Sequence, residues 1–380
     1  MIQVFKPALG EEEFAAVKEA MASGWIGLGP KTREFEERFA EYVGAKYAIG
    51  LNSGTAALHL ALLAHGIGPG DEVVVPPLTF ISTVHAIRFV GATPVLADVH
   101  PDTLCMDSGD VARKLTSKTR ALLPVHYGGH PCDMDELRAL AESRGILVIE
   151  DAAHAAGAVY RNRRVGSISE ATCFSFHAVK NLAMGEGGCI TTDDPGIDAK
   201  VRKLRWMGIS KDTWTRSSDS SSYGWYYEVG QLGFKCHLSD IPASIGLVQL
   251  RRLENLNSRR RELVSRYNAG LGATNWLKTP VCREYVTSAC HNYVIKTPYR
   301  DQLNVFLQEK GIATSVHYMP AHFHPYYEGI PADVPVTDAV WRTLLTLPLY
   351  PDLANDEVDF IVETIRSSPV NDWSAAGREG

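Results

Sequence analysis

Along residues 45–193, short apolar runs alternate with longer stretches whose apolar positions recur at helical spacing. The runs fall near 47–51, 72–75, 94–98, 121–125, 146–149, 171–176 and 188–192. This rhythm predicts an α/β fold with a mostly parallel sheet, because strands covered by helices on both faces read as unbroken apolar segments. A long helix is expected from Ile241-Pro242, with Ser239 or Asp240 as its cap. It continues where Leu250, Leu253, Leu256 and Leu263 alternate with Arg251, Arg252, Arg259, Arg260 and Arg261. There the leucines mark a packed face and the arginines a solvated one. After about residue 265 a smaller α+β unit begins, with strand-like Tyr293-Val294-Ile295-Lys296 and a helix over 302–307. The serine run at 217–222, beside Tyr223, Trp225, Tyr226 and Tyr227, reads as a mobile loop. Its aromatics anchor it, stack a nucleotide base or meet a partner subunit. The polar tail from Ser367 to Gly380 reads as frayed. No internal repeat is visible.

The predicted strands end in residues that carry chemistry, and open α/β sheets bind ligands at those ends. Cys173-Phe174-Ser175-Phe176 runs into His177-Ala178-Val179-Lys180-Asn181, and Gly185-Glu186-Gly187-Gly188 follows. A lysine held where a sheet gives way to a loop is what a pyridoxal phosphate enzyme needs for its Schiff base. A lone lysine there reads equally as a solvated surface residue. Asn52-Ser53-Gly54-Thr55 leads from a strand into a helix, and its N–H groups and hydroxyls suit a phosphate as well as they suit an ordinary cap. Ile146-Leu147-Val148-Ile149 meets Glu150-Asp151, so one of these acids stands at the end of a buried strand. It could pair with a protonated ring nitrogen or cap the next helix. Phe80, in Pro76-Pro77-Leu78-Thr79-Phe80, could cover a flat ring or belong to the core.

In this order the segments resemble the DegT/DnrJ/EryC1/StrS sugar aminotransferase family, pyridoxal phosphate enzymes of fold type I. The resemblance includes Gly29-Pro30, Phe35-Glu36, Ser53-Gly54-Thr55-Ala56-Ala57-Leu58 and Gly68-Pro69-Gly70-Asp71-Glu72-Val73. It continues through Asp98-Val99, Pro124-Val125-His126, Glu150-Asp151-Ala152-Ala153-His154, Ser175-Phe176 with Lys180-Asn181, Gln249-Leu250 and Val316-His317-Tyr318. It spans nearly everything from about residue 3 to residue 365. It implies a large cofactor-binding domain over 1–250, with a mostly parallel sheet, and a smaller α+β domain over 251–380. By position it makes Lys180 the Schiff-base lysine and Asp151 the partner of the pyridine nitrogen, with His154 beside the ring hydroxyl. Gly54, Thr55 and Ser175 match phosphate contacts, and Phe80 the stacking aromatic. A second subunit would bring the loop 233–240, with Lys235 and His237, to the site of a homodimer. His317 and His322 match the substrate entrance.

Retention of Lys180 favours amino transfer, from L-glutamate by family analogy, over the sugar dehydration of relatives that carry histidine there. Glu186, in the Glu-Gly-Gly after the lysine, resembles members acting on nucleotide-linked 4-keto-6-deoxyhexoses. Enzymes of 3-keto sugars, of amino-cyclitols, and a non-catalytic binder of pyridoxal phosphate or a sugar nucleotide remain alternatives.

The chain has 380 residues, 45% hydrophobic and 22% charged, and a formal net charge of −6. That balance gives no electrostatic ground for nucleic acid or an anionic membrane as a partner. The seven cysteines are scattered and odd in number, without C-x-x-C spacing, so neither a disulfide framework nor a zinc site is expected. His317, His322 and His324 lack supporting ligands, and no metal is expected there. No leader segment is seen at the N-terminus, and no run reaches the ~18 apolar residues of a membrane span. A reducing cytosol fits these features.

Overall fold

The computed structural model describes residues 1–210, 226–371 and 373. The serine run with Tyr223 and Trp225, and the tail from 374 onward, lie outside the described residues. In chain order the helices are α1 (Glu11–Ala22), α2 (Pro30–Val43), α3 (Gly54–Ala64), α4 (Ser82–Phe89), α5 (Ser108–Lys114), α6 (Met134–Glu142) and α7 (Pro195–Leu204). After them come α8 (Asp240–Leu271), α9 (Arg300–Glu309), α10 (Pro335–Val340) and α11 (Asn355–Arg366). The strands are β1 (Tyr47–Leu51), β2 (Glu72–Val75), β3 (Thr93–Leu96), β4 (Thr119–Leu122), β5 (Leu147–Asp151), β6 (Val159–Tyr160), β7 (Arg163–Arg164), β8 (Ala171–Ser175) and β9 (Gly188–Thr192). Then follow β10 (Val286–Thr287), β11 (Tyr293–Lys296) and β12 (Leu344–Leu347).

Seven strands form the central sheet in the order β1-β9-β8-β5-β4-β2-β3. Only β9 runs against its neighbours; the others point one way. All seven apolar runs read from the sequence are strands here. The fourth ends at Leu122 rather than 125, short of Pro124, which has no N–H to give a ladder. Behind the sheet, Phe35, Phe39, Phe174 and Phe176 pack with ring centroids 5.0–5.6 Å apart. All four are fully buried.

Helix α8 is 32 residues long, about 48 Å at ~1.5 Å per residue. Its first half places Ala243, Leu247 and Leu253 in the core with Phe35 and Phe39. Its second half places Leu263, Tyr267 and Leu271 in a separate core with Tyr293, Leu345 and Ile361. The expected division at 250/251 thus falls inside a continuous helix, which serves both cores. The C-terminal segment also lends Ala321, Tyr327 and Val334 to the sheet's other face.

Two expectations for α8 change. Arg260 is not on a solvated face: it is 3% exposed, and Nη1 donates to the Leu349 carbonyl at 2.9 Å. Burial pushes its guanidinium down to about 10. The C-terminal segment covers that side of the helix and offers carbonyls where water was expected. Nor does Asp240 cap its own helix. Its carboxylate accepts from the N–H groups of Gly29 (2.9 Å), Lys31 (3.0 Å) and Thr32 (2.9 Å) and from the Thr32 hydroxyl (2.8 Å), so it caps α2. A carboxylate fits the positive end of that helix and satisfies donors that would otherwise be orphaned. Replacing it (Asp240→Ala) strands several buried N–H groups at once. Urea unfolding is expected to show a loss of about 3 kcal/mol, against less than about 0.5 kcal/mol for an exposed control substitution.

Candidate active site

The aligned strands deliver their carboxyl ends to one cavity of about 370 Å³. It lies between the sheet's ends and the segment that carries His317 and Tyr318. Strand β8 contributes Ser175 and then turns back into β9, with Ser175 opposite Gly188. The intervening loop is closed by bonds from Phe176 N to Gly187 O and from Ala178 N to Gly185 O, both 2.8 Å. Gly185 occupies φ +87°, a conformation open to glycine, and Lys180 rides on this loop into the cavity.

Next to it, Ser53 caps α3, its Oγ accepting from Ala56 N at 3.1 Å. Thr55 Oγ1 donates to Ser82 Oγ at 2.8 Å. Ser53, Gly54, Thr55, Ser82 and Ser175 all line the cavity at the positive end of the helix, an anion site by donor set and dipole. The approach is too close for side chains. A Cβ on Gly54 would lie 2.8 Å from that of Ser175, and one on Gly188 would lie 2.2 Å from the Ser53 carbonyl.

Alternation along β5 separates the two acids that the sequence left open. Asp151 faces the cavity. Glu150 points away and is fully buried, accepting from His126 Nε2 (2.8 Å) and Thr172 Oγ1 (2.9 Å). Asp151 accepts from Thr83 Oγ1 at 2.8 Å and from Ala153 N at 3.0 Å. Thr83 has one proton to give, so the proton in its 2.8 Å bond to Thr79 comes from the Thr79 hydroxyl. Desolvation raises the Asp151 carboxyl above its ordinary value, with the bonds from Ala153 and Thr83 opposing. The same desolvation pulls the Lys180 amine down to about 8, and Asp151 opposes it. Both groups therefore move toward neutrality.

The opposite wall is aromatic. His154 Nδ1 accepts from Gly128 N at 3.3 Å, so its neutral ring carries the proton on Nε2 and donates it to the Tyr318 hydroxyl oxygen at 3.0 Å. Burial holds His154 well below the usual imidazole value, with Lys180 and His317 adding to the effect. Desolvation, then Lys180, lowers His317 to about 4, and its Nδ1 lies 2.8 Å from Thr346 Oγ1. Phe80 is 56% exposed, with its ring 5.8 Å from that of Tyr318.

Of the residues singled out in the sequence, Gly54, Thr55, Phe80, Asp151, His154, Ser175, Lys180, Glu186 and His317 line this one cavity. Lys235 and His237 do not. The Lys235 amine sits 3.4 Å from the centroid of the Trp206 ring, and His237 packs against the same ring at 4.5 Å. His322 also lies elsewhere, with Nε2 2.9 Å from Asp338 Oδ1. Phe5, Thr79, Thr83, His291 and Tyr318 reach the cavity without having been assigned a role. Tyr318 was visible only as part of a matched segment, and nothing near Phe5 or His291 in the sequence signals a site. Among the described residues no group of three or more His, Cys, Asp or Glu could hold a metal ion, and no helix is long and apolar enough to cross a membrane.

The amine of Lys180 should titrate near pH 8. Modification of the ligand-free protein by an amine-selective reagent is expected to reach half its limiting rate at Lys180 near that pH, against 10.5 for an ordinary lysine. A base with a depressed folded pKa makes stability rise with pH between the folded and unfolded values, here about 8 and 10.5. Lys180→Met should therefore stabilise the ligand-free protein at pH 7 and lose that advantage by pH 11, as read by thermal unfolding.

The model of the DegT/DnrJ/EryC1/StrS aminotransferase family matches residues 7–366. A spore coat polysaccharide biosynthesis protein, SpsC of Bacillus subtilis (strain 168), is 44% identical over 371 residues, covering 95% of each chain. Among solved structures, the putative sugar aminotransferase Spr1654 of Streptococcus pneumoniae in its PMP form superposes with a TM-score of 0.90 at 35% identity, over 96% of this chain and 98% of that one. DesV of S. venezuelae gives 0.87 at 37% identity, over 93% of each. With its sheet, its lysine-bearing loop and nearly its whole length accounted for in this way, the chain belongs to the DegT/DnrJ/EryC1/StrS aminotransferase family, and pyridoxal 5′-phosphate is its cofactor.

Proposed function

We propose that this enzyme moves an amino group from an amino acid, L-glutamate by family analogy, to a nucleotide-linked keto sugar, a 4-keto-6-deoxyhexose. The observation that carries the reading is a buried lysine amine, drawn down to about 8, facing the same cavity as a buried carboxylate. The sugar class rests on the named relatives and on Glu186, which follows the lysine and lines the cavity mouth with 71% of its side chain exposed.

The residues present fit the cofactor. The hydroxyl-rich start of α3 suits its phosphate: Gly54, Thr55 and Ser175 line the cavity there, and a side chain at Gly54 would collide with Ser175. Asp151 suits a ring nitrogen, the Nε2–H of His154 would suit a phenolic oxygen that takes the place of the Tyr318 hydroxyl as its acceptor, and Phe80 presents an exposed aromatic face. When bound, pyridoxal 5′-phosphate supplies a carbonyl to carry the amino group and a ring that draws off electrons from the carbon losing its proton. Lys180 moves that proton, because an amine titrating near 8 is neutral often enough to accept it at Nζ. Asp151 holds a proton on the ring nitrogen, and Thr83 with the Ala153 N–H keeps its carboxylate turned that way.

The working unit we propose is a homodimer in which the loop 233–240 of each subunit, with Lys235 and His237, completes the other's phosphate site. Supporting it, Phe89 is 56% and Leu232 is 85% exposed, and Phe89, His59 and Phe234 form a continuous ring cluster with centroids 5.6 and 4.8 Å apart. We place the protein in the cytosol, since its seven cysteines are all free thiols.

Lys180→Ala is expected to abolish transfer, and borohydride treatment of the native enzyme should leave the cofactor's mass on the peptide containing residue 180. Label on another peptide would remove Lys180 from its role. Asp151→Asn should keep the cofactor while slowing turnover at least about 100-fold. Assay of dTDP-, UDP- and GDP-linked 4-keto sugars with glutamate tests the substrate class. Transfer only to 3-keto sugars or to cyclitols would overturn it.

A further inference from the structure

Beneath the cavity runs a chain of buried amides that serves no part of the chemistry above. Asn257 Nδ2 donates to the Ala156 carbonyl at 2.9 Å, and Asn181 Nδ2 donates both to Asn257 Oδ1 and to the Ala289 carbonyl, each at 2.7 Å. Backbone carbonyls only accept, so these two fix the orientation of both amides. Asn181 Oδ1 is therefore an acceptor. The His291 Nδ1 that lies 2.9 Å from it must carry a proton.

His291 is 1% exposed, stacked on Phe5 (centroids 5.4 Å, 4° between planes) and packed on His154 at 4.3 Å. Burial keeps it well below the ordinary imidazole value, with His154 and Lys180 adding repulsion, so the ring is neutral. Its proton sits on Nδ1, and Nε2 is left with a bare lone pair. That atom has no hydrogen-bond partner among the described residues, and the ring lines the cavity. A lone pair turned into a cavity takes its hydrogen from whatever fills that cavity, water or a ligand with a donor to give. Its neighbour His154 has the opposite tautomer, with Nε2–H as a donor.

We propose that His291 Nε2 receives a hydroxyl hydrogen of the sugar substrate and so selects for a hydroxylated acceptor. The proposal rests on the reading of this enzyme as a sugar aminotransferase. Among the cofactor's groups, the phosphate and phenolic oxygen accept, the ring N–H belongs to Asp151, and the amine of the aminated form is consumed in the transfer. A carboxylate of the amino-acid donor is repelled by a lone pair. The nitrogen of that donor gives up its protons as it reacts, whereas a ring hydroxyl keeps its own.

Two substitutions separate this role from a structural one. In His291→Asn, the amide nitrogen stands near Nδ1 and preserves the bond to Asn181, but nothing replaces Nε2. In His291→Gln, the amide reaches the position of Nε2 and the bond to Asn181 is lost. In holoenzyme carrying Lys180→Ala, which binds without turnover, the keto-sugar nucleotide accepted by the parent should bind about tenfold more weakly after His291→Asn. His291→Gln should bind it within about threefold of the Lys180→Ala parent. With Lys180 present, the glutamate half-reaction, followed by cofactor absorbance, should be unchanged in His291→Asn. Nitrogen NMR of [15N]histidine-labelled protein should show His291 protonated at Nδ1. Unweakened sugar binding in His291→Asn, a larger loss in His291→Gln, equal damage to the glutamate half-reaction, or a proton on Nε2 would each overturn the assignment. A parent enzyme that accepts glutamate but no keto-sugar nucleotide would instead sink the functional reading and this ligand with it.

Discussion

The structure turns on removing one amine and one carboxylate from water within the same cavity. Lys180 and Asp151 both shift toward their neutral forms for the same reason, loss of solvent, and each partly restrains the other's shift. An isolated lysine buried this way would simply destabilise the fold. Here the shift gives an amine that is a usable base near neutral pH, and the carboxylate keeps it from losing its charge altogether. The cost is met by the sheet, whose strands bring both groups to the same edge while their side chains bury a continuous apolar core.

Holding those groups takes rigid supports that the chemistry never touches. Thr79 and Thr83 form a hydroxyl pair behind Asp151, and the loop carrying Lys180 is pinned by backbone bonds on both arms. Asn181, next in sequence to the lysine, is fixed on three sides by Asn257, Ala289 and His291. The cavity wall is thus set as a pattern of donors and acceptors before any ligand arrives. Two neighbouring neutral imidazoles illustrate it, one presenting N–H and the other a lone pair at the same ring position.

Long-range capping ties the elements together. Asp240 at the start of α8 caps α2, and Asp98 after β3 accepts from the N–H groups of Val336 and Thr337, both at 2.8 Å, at the start of α10. Glu36 on α2 accepts from Gly50 N on β1 at 2.8 Å and from Arg202 on α7 at 2.7 Å. Each buried carboxylate satisfies donors from an element far away in sequence, so helices and sheet cannot shift independently. This is the mechanical condition for holding a cofactor against several strand ends at once.

Much of this was legible in the chain itself, and the division follows from physics. Strand and helix positions are written in local periodicity, so the seven sheet strands and the start of α8 could be read directly. The residues that lie at or just past strand ends, Ser53 to Thr55, Asp151 and Lys180, could be read too, because a parallel sheet must place such ends together. Partners separated by long stretches of chain could not. The sequence offered Asp240 as a cap for its own helix, but its hydrogen bonds go to residues more than 200 positions away. It put Arg260 on a wet face, which the C-terminal segment covers, and it gave no sign that His322 would pair with Asp338. Whether His291 donates or accepts depends on two carbonyls, Ala156 and Ala289, that only tertiary packing brings to the same amide chain. Periodicity decides which face of an element is buried; the identity of the atoms waiting there is decided by whatever the rest of the fold packs against it.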